Sequence, residues 1–98
     1  MEVRFTWDAV KADRNQKIHG ISFETAMEVF DDPNHVAGDN YFIERWRAAF
    51  SGHRDDPEAG LLLVVFVDHR QTDVEVIHVI SARKAVDYEE SIYNDQFR

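Results

Sequence analysis

The feature that most restricts the fold is a continuous apolar run, Leu61 to Val67, in a chain of 98 residues. Seven apolar residues in a row leave no polar face, so the run reads as a central strand covered on both sides. It is far shorter than the roughly 20 residues needed to cross a bilayer. Asp68 to Thr72 supplies a turn, and Asp73 to Ser81 reads as the antiparallel partner of the run. Ahead of it, Ser51 to Gly60 carries Gly52, Pro57 and Gly60 and reads as a surface loop. A chain of this length buries one core, so residues 1–98 are expected to form a single domain.

The remaining elements follow from period and punctuation. Val3 to Trp7 alternates as a short strand with Val3, Phe5 and Trp7 on one face. Asp8 offers an N-cap to a weakly amphipathic helix over Ala9 to Ile18, with Val10, Arg14 and Ile18 in one row and Gly20 ending it. Ser22 caps a second helix, whose Phe23, Ala26, Met27 and Phe30 form an apolar stripe. Asp32-Pro33 stops that helix, and a loop is expected through Gly38. Tyr41 to Phe50 suits a strand that sets Arg45 and Arg47 on the face opposite Trp46. A last helix is expected to begin near Ser81, with Ala85, Glu89, Ile92 and Tyr93 along it. The sum is an α+β domain: an antiparallel sheet of about four strands, two N-terminal helices and a C-terminal helix.

Seven Phe, two Trp, four Gly and two Pro describe a compact chain, and the lack of cysteine fits a reducing compartment. No basic segment followed by an apolar stretch opens the chain, so a soluble cytoplasmic protein is expected. The net charge is −8 and is unevenly spread. Residues 21–60 hold nine acidic and three basic side chains, whereas residues 1–20 hold three acidic and four basic ones. Phosphate binding is therefore expected outside the acidic middle, which itself suits a basic partner. Phosphate loops, nucleophile elbows and dinucleotide fingerprints are absent, and the histidines at 19, 35, 53, 69 and 78 show no metal-ligand spacing, so neither a metal nor another cofactor is expected.

Two spaced segments carry more information. The first comprises Phe5-Thr6-Trp7-Asp8, Lys11, Asn15 and His19-Gly20-Ile21-Ser22-Phe23-Glu24, with Ala26 beyond. The second is Ile80-Ser81-Ala82-Arg83-Lys84-Ala85, followed by Glu89 and Tyr93, behind the apolar Leu62-Leu63-Val64-Val65. Their order and spacing resemble the BrnT family over about residues 3–93. The resemblance implies a RelE-like fold and a ribonuclease toxin that works on RNA without a metal and inhibits growth. It also implies neutralisation by a ribbon-helix-helix antitoxin of the BrnA type, with DNA contacted only through that antitoxin. The chain departs from the family pattern at Ile18, where a lysine is usual, and in its acidic closing helix. A diverged, non-catalytic homologue that binds proteins is thus the alternative.

Metal-free cleavage of RNA needs proton transfer and a cradle for the crowded phosphate. Among the matched residues, His19 suits the acid or base role, because histidine is the side chain that ordinarily titrates near neutrality. Lys17 and Arg83 suit the phosphate. Tyr93 suits stacking or donation, and Glu89 suits orienting a base. Arg45, Arg47 and Lys84 would extend the RNA-binding surface. Each has a plainer alternative: His19 closing a helix, Glu89 pairing with Lys84 or Arg83, and Tyr93 in the core.

Overall fold

The computed structural model describes residues 2–39, 47–52 and 61–97. The chain runs through β1 (Glu2–Thr6), α1 (Ala9–His19), α2 (Phe23–Met27), a 3₁₀ turn (Glu28–Asp31), β2 (Val36–Asp39), β3 (Arg47–Gly52), β4 (Leu61–Gln71), β5 (Val74–Lys84) and α3 (Asp87–Asp95). Among the described residues the strands form one sheet in the order β1-β5-β4-β3-β2. The class is α+β, as the sequence pattern indicates. The expected all-antiparallel sheet of about four strands is corrected to a five-stranded mixed one, because β1 lies parallel to β5, Glu2 opposite Val74 and Thr6 opposite His78. A pairing across some 72 residues is set by tertiary packing and leaves no local mark.

β2 is a second correction, since the loop expected through Gly38 gives way to a strand from Val36. Val-Ala-Gly-Asp has little strand preference of its own, and its ladder to β3, Val36 opposite Phe50 through Asp39 opposite Arg47, makes it a strand. The expected strand over Tyr41 to Phe50 is described only from Arg47, with residues 41–46 outside the described range. Ser51 and Gly52 belong to β3 rather than to a loop.

β4 and β5 form a hairpin of two eleven-residue strands. The turn shrinks to Thr72 and Asp73, with Thr72 at φ 25°, a conformation that strains a β-branched residue. The last helix begins at Asp87 rather than near Ser81. Residues 81–84 are held in the ladder by Leu62 opposite Lys84, and the Ala85 N–H donates to the Leu61 carbonyl at 2.8 Å.

The apolar run is covered on both faces. Leu62, Val64 and Phe66 pack with Ile21, Phe23, Ala26, Val29, Ile77, Val79 and Ala82 beneath the N-terminal helices. Leu63 points the other way, where Val36, Ile92 and Tyr93 cover it. The helical row of Val10 and Ile18 does not face this core, because they are 67% and 66% exposed. α1 instead packs through Ala12 and the buried Asn15. Its ends are set as expected: the Asp8 side chain accepts the Lys11 N–H at 3.0 Å, and Gly20 takes φ 73°, the left-handed value that ends a helix.

Candidate functional site

Between Val65 and Phe66 the register of β4 and β5 shifts, so that Val65 faces Ser81 and Phe66 faces Val79. Ile80 is the extra residue of a bulge, which flips the alternation of β5: Ile77 and Val79 face the core before it, and Ala82 does so after it. Asn15 fixes α1 onto this irregular stretch. Its Nδ2 donates to the carbonyls of Ile21 and Ala82, both at 2.9 Å, and its Oδ1 accepts the Ala82 N–H at 3.1 Å. A buried asparagine in mid-helix is thus satisfied by two other segments at once.

Beside this anchor lies a groove of about 220 Å³. Lys11, Arg14 and Ile18, spaced three and four apart on α1, form one wall, and the bulged Ile80 with Ser81 forms the other. His19, the last residue of α1, closes the end. Two cations and an imidazole therefore surround a groove whose apolar surface comes from Ile18 and Ile80. Lys17 does not line the groove. It is exposed and pairs with Asp13 at 2.9 Å, and that hydrogen bond, with the carboxylate's charge, raises its pKa.

Arg83, Glu89 and Tyr93 are on the opposite face of the sheet. Arg83 stands opposite Leu63, whose side chain meets Ile92 and Tyr93, whereas Asn15 binds Ala82 from the α1 side. Arg83 makes a fork onto Glu89, Nη1 to Oε1 at 2.7 Å and Nη2 to Oε2 at 2.8 Å, and also donates to the Lys84 carbonyl. Glu89 is fully buried and accepts the Val86 N–H at 2.9 Å, so it caps α3 and ties it to the end of β5. Burial pushes its carboxyl up, but the Arg83 hydrogen bonds, the Val86 N–H and the arginine's charge outweigh this and hold it below the usual value. Tyr93 donates to Asp32 at 2.7 Å, and burial together with that carboxylate pushes its hydroxyl up to about 12. It is a tether between α3 and the Asp32-Pro33 turn.

With the groove on one face and this network on the other, a family model decides the assignment. The model for the BrnT ribonuclease toxin of type II toxin–antitoxin systems matches residues 7–89. The chain belongs to the BrnT family. No curated protein matches it. The matched span runs from the start of α1 through Glu89, so it holds the whole groove and the Arg83–Glu89 pair, while Tyr93 lies beyond it.

For this BrnT chain the structure divides the residues singled out in the sequence. His19 is in the groove, and Lys84, opposite Leu62, shares the α1 face of the sheet and is exposed. Arg83, Glu89 and Tyr93 are across the sheet, where Arg83 pairs with Glu89 and Tyr93 donates to Asp32. Arg45 is outside the described residues, and Arg47 is placed only as the first residue of β3, opposite Phe66. Lys11 and Arg14 have no role on sequence grounds. Their i, i+3 spacing on an otherwise polar helix ahead of His19 is the signal that could have found them. Among the described residues no three His, Asp or Glu side chains gather as a metal site, and no helix is long and apolar enough to cross a membrane.

Tyr93→Phe is expected to lower unfolding free energy by about 1 kcal/mol, the usual worth of one hydrogen bond to a side chain. Urea titration of both proteins checks this.

Proposed function

We propose that this chain is a growth-inhibiting endoribonuclease whose RNA site is the groove between α1 and the β5 bulge. The observation that carries the reading is the convergence of Lys11, Arg14 and His19 around one concavity in a protein that is acidic elsewhere. Phosphate binding needs local positive charge, and α1 brings it where the chain total would deny it. Ile18 and Ile80 offer a base an apolar surface, and Lys84 extends the positive edge.

In the reaction a base takes the proton of a ribose 2′-OH, and the 2′ oxygen attacks the adjacent phosphorus. The bond from phosphorus to the 5′ oxygen then breaks, and that oxygen takes a proton, leaving a 2′,3′-cyclic phosphate and a 5′-OH. His19 moves a proton at one of these two steps, and Arg14 and Lys11 neutralise the charge that builds on the phosphate. Nothing in this sequence of steps requires a metal, so cleavage is expected to persist in EDTA. The Arg83–Glu89 pair and Tyr93 hold α3 and stay out of the reaction, which departs from the roles their family resemblance suggests. The activity is restrained in the cytoplasm by a ribbon-helix-helix antitoxin of the BrnA type, through which alone the complex meets DNA.

Expression without an antitoxin should stop growth and degrade RNA. His19→Ala should slow cleavage by about 100-fold or more, and Arg14→Gln should weaken RNA binding and flatten its salt dependence by about one unit of slope. Full toxicity in both variants would overturn the site. The second reading, a diverged protein-binding homologue, draws on one observation: the arginine of the closing motif is engaged with Glu89. Intact RNA and unchanged growth beside a stable antitoxin complex would favour it.

A further inference from the structure

At the other end of the helical face lies a second groove, of about 370 Å³, with the opposite electrostatic character. Val3 and Phe5 of β1 stand opposite Glu75 and Ile77 of β5, so all four side chains project to the same side. Phe30 forms the back, tilted on Phe5 at a ring distance of 5.5 Å and edge-on to Phe66 at 5.0 Å. The His35 ring lies against Phe30 at 5.8 Å, and its Nδ1 donates to the Asp32 carbonyl at 2.7 Å, which fixes the ring. Asp31 and Glu75 add carboxylates to this aromatic pocket. The ion pair from Arg70 to Glu75 is 3.6 Å long, and Arg70 is well exposed, so it is weak and readily exchanged.

Three properties say what fits there. Val3 is 48% exposed, an apolar side chain left uncovered at the groove. β1 is an outer strand among the described residues, so its backbone groups on the side away from β5 face outward beside the groove. Two carboxylates beside aromatic rings complement a guanidinium, which can pair with the acids and lie over a ring face. The same carboxylates repel phosphate, so the occupant is not RNA.

We infer that this groove docks an extended basic segment of the antitoxin, one of whose arginines enters between Asp31 and Glu75 while an apolar neighbour covers Val3. The inference takes its partner from the toxin–antitoxin reading and is independent of RNA cleavage. Because the groove is separate from the one that holds His19, the partner can be held without competing for the same residues.

The test uses the ¹⁵N-labelled full chain and a synthetic peptide of about ten residues alternating valine and arginine, the length of one added strand and its neighbours. At physiological salt the peptide should shift the amides of residues 3–6, 30–32, 34–35 and 75–77. Citrulline in place of arginine, the double variant Asp31→Asn/Glu75→Gln, and Val3→Lys should each weaken binding about tenfold or more, the effect of losing roughly 1.4 kcal/mol. Glu24→Gln/Glu90→Gln removes the same charge elsewhere and should change binding less than about twofold. Equal binding of the citrulline peptide, an equal loss in the Glu24/Glu90 control, or shifts confined to other residues would overturn the inference. Val3→Lys, at an exposed position, keeps the test sound if the double variant folds poorly. Peptide binding in a chain that leaves RNA intact would refute the cleavage reading and leave this one standing.

Discussion

Arg83→Ala should lower the unfolding free energy by about 3 kcal/mol, the low end of the cost of breaking a buried ion pair by removing one partner. The low end applies because the Arg83 side chain is 31% exposed while that of Glu89 is 1% exposed. The variant leaves a carboxylate sealed under α3 with only the Val86 N–H of its present partners. The same pair makes stability depend on pH. The folded Glu89 carboxyl is held below its ordinary value of 4.5 despite burial, so its contribution is complete above that value and fades as pH falls through the folded one. Urea titrations from neutral pH into the acid range should show the gap between the native chain and Glu89→Gln widest near neutrality and narrowing below about 4.5. A gap that does not vary with pH would deny the ion pair this role.

Asn15→Ala should cost about 3 kcal/mol, because it removes the partner of the Ala82 N–H and C=O and of the Ile21 C=O at a buried position. Its effect on RNA cleavage should exceed the loss of folded protein. α1 would then slide over the bulge and separate His19 from Ser81. Cleavage measured at a temperature where the variant remains folded, beside its urea midpoint, tests both statements. A cost below about 1 kcal/mol would mean that the amide does not hold the helix.

The parts of the fold that sequence reveals are those determined locally. The apolar run at Leu61 to Val67, the caps at Asp8 and Ser22, and the stripe of Phe23 and Ala26 each depend on neighbours within a turn or two, and each forms as the pattern indicates. The parallel place of β1 and the strand at Val36–Asp39 depend on partners that are distant in sequence, so propensity misses them. α1 departs from its own pattern. Its apolar spacing marks Val10 and Ile18, but the core takes Ala12 and a hydrogen-bonded Asn15.

The site divides for the same reason. Residues 80–84 look like one motif, but a strand sends alternate side chains to opposite faces, and the bulge at Ile80 resets the alternation within the motif itself. Hence Ala82 and Lys84 face α1, while Arg83, on the same face as Ser81, joins Glu89 across the sheet. No reading of linear spacing separates them without the register. Lys11 and Arg14 gain their significance only when α1 is laid against that bulge.

The central claim is that RNA occupies the groove of α1 and the β5 bulge. A short RNA methylated at its 2′ oxygens cannot be cleaved, and its titration into the ¹⁵N-labelled chain reports contact residue by residue. The account predicts shifts at Lys11, Arg14, Ile18, His19, Ile80 and Ser81, weakened in Arg14→Gln, with the amides of residues 89–93 unmoved. Shifts centred on Arg83, Glu89 and Tyr93, with α1 unaffected, would contradict it.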